Sequence, residues 1–552
     1  MLKSMKKAGL IALIAVVAAG SMSFTSSYFE ISKNLDIFAS LYKELNTYYV
    51  DEVEPADLMR KGIDAMLKSL DPYTNYISEA EIEGYKLQTT GKYGGIGAAI
   101  RKDKELDYVV ISEPYEGFPA HKAGLRAGDA IKEIEGKSAK GKTTDEISKI
   151  LRGNPGTDVK IKIGRPGESR DLPITLTRET VKIDAVPYSG VVRDDIGYIK
   201  LNSFTQNCGR DVANAYQDLK KDHDIKGLIF DLRGNPGGLL SEAVNVSNIF
   251  VDKGEEIVST KGKIKEWEKS YKAKNSPVDL EMPIVVLTNK SSASASEIVS
   301  GVVQDLDRGI VLGQRTYGKG LVQTTKNVGY NSKLKLTTAK YYIPSGRCIQ
   351  SVDYAIKNKD GSVDEVPDSL RTAFKTRNGR KVFDGGGVLP DVELERKKYA
   401  KVSSALASKQ LIFKYATDYF NKHDEIDEPE EFSLSDEEYD EFVNYISGKD
   451  YSYTTKSEKL LKDFKKSTEV EEYYKALNTE IDELEAKFIA DKRNDLVKHK
   501  DEIKELIEME IIGRYYYKKG KIRASLQNDD EVAAAIELLT NNDEYEEILA
   551  GK

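Results

Sequence analysis

Histidine and cysteine are scarce: the 552-residue chain holds four of the first and two of the second, and no His-Glu-x-x-His pattern. The cysteines, Cys208 and Cys348, stand far apart, so they give neither a disulfide framework nor a zinc-like spacing. They could pair in an oxidising compartment, but two buried thiols are the simpler reading. Of the histidines, His121 falls in a glycine-rich stretch, His223 in the charged loop Lys220–Asp224, and His423 and His499 in a charged C-terminal region. A Ser-His-Asp triad therefore lacks a base, and a metal-dependent hydrolase lacks ligands. Excess positive charge is absent too. The net charge is −8 and the pI about 5.5, which excludes the basic field that nucleic acid requires. No nucleic-acid partner, metal or cofactor is expected.

Long apolar runs are also missing. The run Leu10–Ala19 is shorter than the ~20 residues of a membrane span. It follows Lys3, Lys6 and Lys7 and precedes the small residues Ala18, Gly20, Ser21 and Ser23. That order is the pattern of a secretory signal, cleaved or retained as an anchor, and implies export to a periplasm or cell envelope. No cysteine near the cleavage zone invites lipidation.

Composition divides the rest into four regions, too many residues for one core. Residues 1–25 form the signal. Residues 26–88 read as helical, with Phe38, Leu41, Tyr42, Leu45 and Tyr48 at helical spacing and Ala56–Leu70 stopping at Asp71-Pro72. Residues 89–180 are glycine- and β-rich, with strands near Asp107–Ile111 and Val159–Ile163. Residues 181–395 alternate strands (Ile196–Leu201, Gly227–Leu232, Ile284–Leu287, Ile310–Leu312) with helices (Ser241–Phe250, Ala295–Asp305), the signature of an α/β core. Residues 396–552 are rich in Lys, Glu, Asp and Tyr, with Leu477, Ile481, Leu484 and Phe488 at helical spacing. A charged helical domain is expected there. Its acidic runs Asp424–Glu431 and Asp436–Asp440 are read as solvated, and Tyr515-Tyr516-Tyr517 as core packing.

Two glycine-bearing segments in the second region belong together. Tyr93-Gly94-Gly95-Ile96-Gly97 precedes the strand-like Ala98–Arg101. Ala-Gly-Leu-Arg-Ala-Gly-Asp, ending at Asp129, precedes Ile131-Lys-Glu-Ile134-Glu-Gly136. In this order they resemble a PDZ domain. In such a domain Gly94, Gly95, Ile96 and Gly97 would turn backbone N–H groups towards a terminal carboxylate, and the next strand would pair with an extended peptide. A PDZ-like spacer that binds no peptide is the alternative.

The unusual chemistry concentrates between Asn289 and Gln323. A hydroxyl nucleophile needs a base, and lysine serves when neutral. Its ordinary pKa of about 10.4 must then fall by roughly 3 units, about 4 kcal/mol, which burial supplies. Lys319, flanked by Gly318 and Gly320 and by apolar Tyr317, Leu321 and Val322, suits that role. Ser294 opens a helix whose Ile298, Val299 and Val302 are expected to face inward and Glu297, Ser300 and Gln304 outward. The helix start favours a nucleophile through its free N–H groups, although a serine there is more commonly an N-cap. The glycine turn Asp231-Leu-Arg-Gly-Asn-Pro-Gly-Gly238 links a strand to a helix. Gly237 or Gly238 could donate one N–H to an oxyanion and Ala295 another.

Together these segments resemble the carboxy-terminal processing (tail-specific) protease family. The likeness extends over about residues 35–395 and includes Leu70-Asp-Pro-Tyr-Thr74, the PDZ turns and the glycine turn. It continues through Ser-Ala-Ser-Ala-Ser-Glu-Ile, Thr-Tyr-Gly-Lys-Gly-x-Val-Gln, Tyr342-Ile-Pro-Ser-Gly-Arg347 and Gly386-Gly-Val-Leu-Pro-Asp391. The resemblance implies a serine endopeptidase with Ser294 as nucleophile, Lys319 as general base and Gln323 orienting the amine. Four extended residues span about 13 Å, so a Gln323–Lys319 contact implies a turn or bulge at Gly320. It further implies a crotonase-like, ClpP-like α/β core carrying the PDZ as a movable gate, and substrates recognised by exposed C-termini. An adaptor or a second copy of the chain is a possible further partner. A non-catalytic PDZ scaffold is the rival reading.

Overall fold

The computed structural model describes residues 28–358, 361–471 and 474–551; the expected signal lies outside them. Residues 28–48 are helical, but Phe38 and Tyr48 are 45 and 76% exposed, so this periodicity builds a helix without a core. The helix Pro55–Lys68 follows, started by Pro55 in its first turn. The region is not wholly helical, because Asn75–Ile77 is a strand.

A six-stranded sheet forms the centre. Tyr188–Val191 runs antiparallel to Ile196–Lys200, which continues in parallel through Gly227–Asp231, Ile284–Thr288, Ile310–Gly313 and Val392–Glu393. Parallel strands buried on both faces need apolar residues at successive positions, and these have them. Leu228, Phe230, Ile284, Val286 and Val311 face one core, shared with the helices Cys208–Asp222, Leu240–Ser247 and Ala295–Asp305. Ile229, Val285, Leu287, Ile310 and Leu312 face the other. Helices from the far end of the chain, Asp530–Thr540 and Asn542–Ala550, cover that second face through Val532, Ile536, Leu539 and Tyr545.

A second sheet stands beside the first. Its long hairpin, Leu321–Gly329 and Ser332–Tyr342, takes up Asn75–Ile77 at one place and Glu256–Gly262 at another. Six antiparallel strands between Ala98 and Thr177 form the β-rich module. It joins the core through a two-strand stem, Lys92–Gly95 with Glu179–Lys182.

The helical tail packs on the back of this module. Phe413 buries itself against Val110, Ala127 and Ala130, its ring between the guanidinium groups of Arg101 (4.5 Å) and Arg514 (4.4 Å). The acidic runs are tied down in part, with Glu428 and Glu430 on Arg523 and Asp436 on Lys500 and Lys504. The tyrosine cluster packs internally: Tyr515 and Tyr516 donate to the carbonyls of His423 and Ile426, and Tyr517 lies edge-on to His121. Both cysteines are free, Cys208 buried and Cys348 half-buried.

Candidate active site

The three serines of the Ser-Ala-Ser-Ala-Ser run have two different fates. Ser292 and Ser296 are buried, and their hydroxyls donate to the carbonyls of Leu232 (2.8 Å) and Asn235 (2.9 Å). They stitch the helix start to the glycine turn. Ser294, between them, has φ 56 and ψ −111 and forms a capping box with Glu297. Its N–H donates to the Glu297 carboxylate at 2.8 Å. Its carbonyl accepts from the N–H groups of Glu297 (2.9 Å) and Ile298 (3.0 Å) and from the Tyr341 hydroxyl (3.1 Å). A residue with a Cβ at positive φ costs about 1–3 kcal/mol, and these bonds hold it there with its hydroxyl donating to no protein group among the described residues.

The glycine turn lies against this serine. A Cβ on Gly237, at φ +96, would stand 2.6 Å from the Ala293 carbonyl and 2.9 Å from Ser294 Cβ. Only glycine permits that approach. The Gly237 N–H is already used, donating to Asn235 Oδ1 at 2.9 Å. The N–H groups of Gly238 and Ala295 find no acceptor among the described residues. Ser294, Gly237, Gly238, Ala295, Lys319 and Gln323 all line one cavity of about 550 Å³.

Lys319 is held from two sides. Its N–H and that of Gly318 donate to Glu297 at 2.8 and 2.6 Å, so a single carboxylate fixes the backbone of Ser294 and of Lys319. Glu297 is fully buried and also accepts the Thr316 hydroxyl at 2.6 Å; burial raises its pKa against these four donors. The expected outward face of this helix is therefore wrong, since Glu297, Ser300 and Gln304 are all buried. Each has internal partners: Ser300 donates to the Ser296 carbonyl, and Gln304 donates to Asp391 and accepts from Arg347.

The Lys319 amine lies 4.3 Å from the centroid of the Tyr73 ring. Tyr317, expected to shield it, is 52% exposed. Tyr73 is placed by Asp71, whose carboxylate accepts the N–H groups of Tyr73 and Thr74, both at 2.8 Å. The run Leu-Asp-Pro-Tyr-Thr was legible as a motif, but not as the segment that sets a ring against Lys319. Burial first, then the charge of Lys335, lowers the Lys319 amine to about 8, against the opposing pull of Glu297 and Asp71. Gln323 Nε2 donates to the Thr337 hydroxyl at 3.3 Å, and no hydrogen bond among the described residues joins Lys319 to Gln323 or to Ser294. The bulge expected at Gly320 falls between Val322 and Gln323.

The peptide-binding expectations separate as well. Ile96 lines a second cavity of about 250 Å³ with Ala98, Ile100, Leu151 and Arg152. Gly94 and Gly95 sit in the stem strand, paired with Thr180 and Glu179. Gly97 has φ 73 and packs against Phe118. Leu87 and Ile183 line both cavities and form the wall between them.

Comparison with known proteins places this geometry. The family model described as peptidase family S41 matches residues 195–357, a PDZ-domain model residues 110–165, and the model of a probable PDZ-protease C-terminal helical domain residues 402–539. A carboxy-terminal-processing protease of Bartonella bacilliformis is 37% identical over 348 residues, covering 62% of this chain and 79% of the relative. The chain belongs to this family of S41 serine peptidases. It has the family's α/β core, inserted PDZ domain and helical C-terminal domain. A probable CtpA-like serine protease of Staphylococcus aureus is 36% identical over 318 residues, 57% of this chain and 62% of its own length. Among solved structures, a photosystem II D1 C-terminal processing protease is 28% identical, covers 65% of this chain and 92% of its own, and has a TM-score of 0.35. Among the described residues, no helix is long and apolar enough to cross a membrane.

Proposed function

We propose that this S41 peptidase cleaves exported proteins presented by their C-terminal tails, through an acyl-enzyme formed by Ser294 with Lys319 as general base. The observation that carries the reading is the single cavity in which a serine hydroxyl at a helix start, donating to no protein group among the described residues, meets a desolvated lysine and two N–H groups without an acceptor among those residues. Neutral Lys319 takes the Ser294 proton as the oxygen attacks the peptide carbonyl, and gives it to the departing amine. The N–H groups of Gly238 and Ala295 receive the oxyanion. Gln323 lines the same cavity and supplies the amide that orients the Lys319 amine as the two side chains close together. Water then releases the acyl group. Feeding the tail from the Ile96 groove into this cavity takes it past Leu87 and Ile183, which line both. Arg152, which lines the groove with Ile96, offers a cation for the terminal carboxylate.

Ser294→Ala and Lys319→Ala are each expected to abolish cleavage of a denatured test protein while leaving peptide binding intact. Undiminished proteolysis in either would refute the assignment. Capture of exported proteins on the Ser294→Ala form, with their C-termini sequenced, tests the tail recognition.

A further inference from the structure

Leu70-Asp-Pro-Tyr-Thr74 lies far from Lys319 and Gln323 in the chain, yet its turn reaches towards both. Asp71 and Thr74 are buried. Besides two backbone N–H groups, the Asp71 carboxylate accepts the Thr74 hydroxyl at 2.9 Å, so both of its oxygens close the turn. The strand Asn75–Ile77 leaves this turn and pairs with the hairpin, Asn75 opposite Lys335 and Ile77 opposite Lys333. The turn is thereby docked on the hairpin that carries Gln323. Two arms extend from it. One is the Tyr73 ring, 4.3 Å from the Lys319 amine. The other is Thr74 Oγ1, which accepts the Thr337 N–H at 3.2 Å and lies 3.4 Å from the Thr337 hydroxyl. Thr337 is the register partner of Gln323. The bulge before Gln323 re-aims its side chain, and Nε2 donates to the Thr337 hydroxyl at 3.3 Å. A carboxylate only accepts, so Thr74 gives its one hydroxyl proton to Asp71 and is an acceptor towards Thr337. Gln323, held by Nε2, makes no hydrogen bond through Oε1 among the described residues. An amine that donates an N–H to Oε1 keeps its lone pair for the Ser294 proton.

We propose that the turn Asp71–Thr74 is a positioning element for the reaction: Tyr73 sets the Lys319 amine, and Thr74, through Thr337, sets the Gln323 amide. One buried carboxylate, Asp71, thus keeps the base and the group that orients it in register. This rests on the Ser294–Lys319 reading above. Asp71, Tyr73, Thr74 and Thr337 are not among the residues that line the cavity. Their effect on the reaction therefore passes through Lys319 and Gln323, and it belongs to the chemical step rather than to substrate binding.

The test is kcat and KM on an unstructured protein for the parent, Thr74→Val, Thr74→Ser, Thr337→Val, Tyr73→Leu, Tyr73→Phe and Lys319→Ala, with folding checked by thermal melting. Thr74→Val keeps the shape and loses the hydroxyl; Tyr73→Leu loses the ring. Each is expected to lower kcat by about 10- to 100-fold and to leave KM within about twofold of the parent. Thr74→Ser and Tyr73→Phe keep the hydroxyl and the ring and are expected to retain kcat within about threefold. Thr337→Val breaks the second arm at its far end and carries the test if Thr74→Val fails to fold. Parental kcat in folded Thr74→Val, Thr337→Val or Tyr73→Leu overturns the proposal. So does a change confined to KM, which makes the turn a substrate-binding element, and so does an equal loss in the two conservative variants. Activity surviving in Lys319→Ala removes the Ser–Lys reading itself. An inactive Lys319→Ala beside parental turn variants removes the positioning role alone.

Discussion

At the scale of single residues, the site is assembled from groups held in states they would not adopt in water. Ser294 is held at positive φ, Glu297 is a buried carboxyl group with no ion pair among the described residues, and Lys319 is an amine lowered to about 8. For Lys319 the folded pKa lies below the unfolded one. The native state thus binds fewer protons between about pH 8 and 10.5, and stability rises with pH across that window. Below pH 8 both states are protonated and the full cost of burying the charge is present. Lys319→Met is therefore expected to raise stability at pH 7 by at most about 3 kcal/mol while eliminating activity, with the gain shrinking above pH 8. Melting temperatures at pH 7 and pH 10 check it; equal gains at both values would count against a buried charge.

Among the elements, the helix Ala295–Asp305 was readable to its ends from its apolar spacing, yet its surroundings were not. Helical periodicity assigns polar residues to a wet face, but here the polar residues are buried and satisfied by partners distant in the chain. The hairpin Leu321–Tyr342 escaped the reading of alternating strands. Its threonines and the lysines of its second strand are half-buried, so no clean apolar alternation marks them. The glycine turn is the element where conformation and chemistry coincide most closely. Gly237→Ala adds a Cβ at φ +96 against the Ala293 carbonyl and Ser294. It should lower kcat by about 100-fold or more through displacement of the neighbouring proposed oxyanion donors, with the protein still folded. A variant of near-normal kcat would show that the turn tolerates movement.

On the scale of the molecule, the helical tail is part of the catalytic body rather than an appendage. Arg233 of the glycine turn is gripped by Asp231 within the core and by Asp529 (2.8 Å) and Glu531 (2.6 Å) of the tail. The same tail holds the PDZ domain through Phe413. A chain shortened to end before Asp530 uncovers Ile229, Val285, Leu287, Ile310 and Leu312, each of which contributes about 1.5–3 kcal/mol when buried. Such a protein is expected to aggregate or melt far below the parent, as light scattering and calorimetry will show. A soluble, active truncated form would contradict the role assigned to these helices.

The family and the order of its modules followed from the chain alone, as did the choice of Ser294 and Lys319 as the proposed nucleophile and base, because local turn chemistry, strand and helix periodicity and the scarcity of histidine are properties of neighbouring residues. The tertiary structure alone decided that Tyr73, Glu297 and Lys335 converge on Lys319, that Gly238 rather than Gly237 keeps a free N–H, and that the last helices of the chain close the central sheet. Those outcomes depend on which distant segments exclude water from one another, and desolvation, unlike periodicity, leaves no spacing in a sequence to be read.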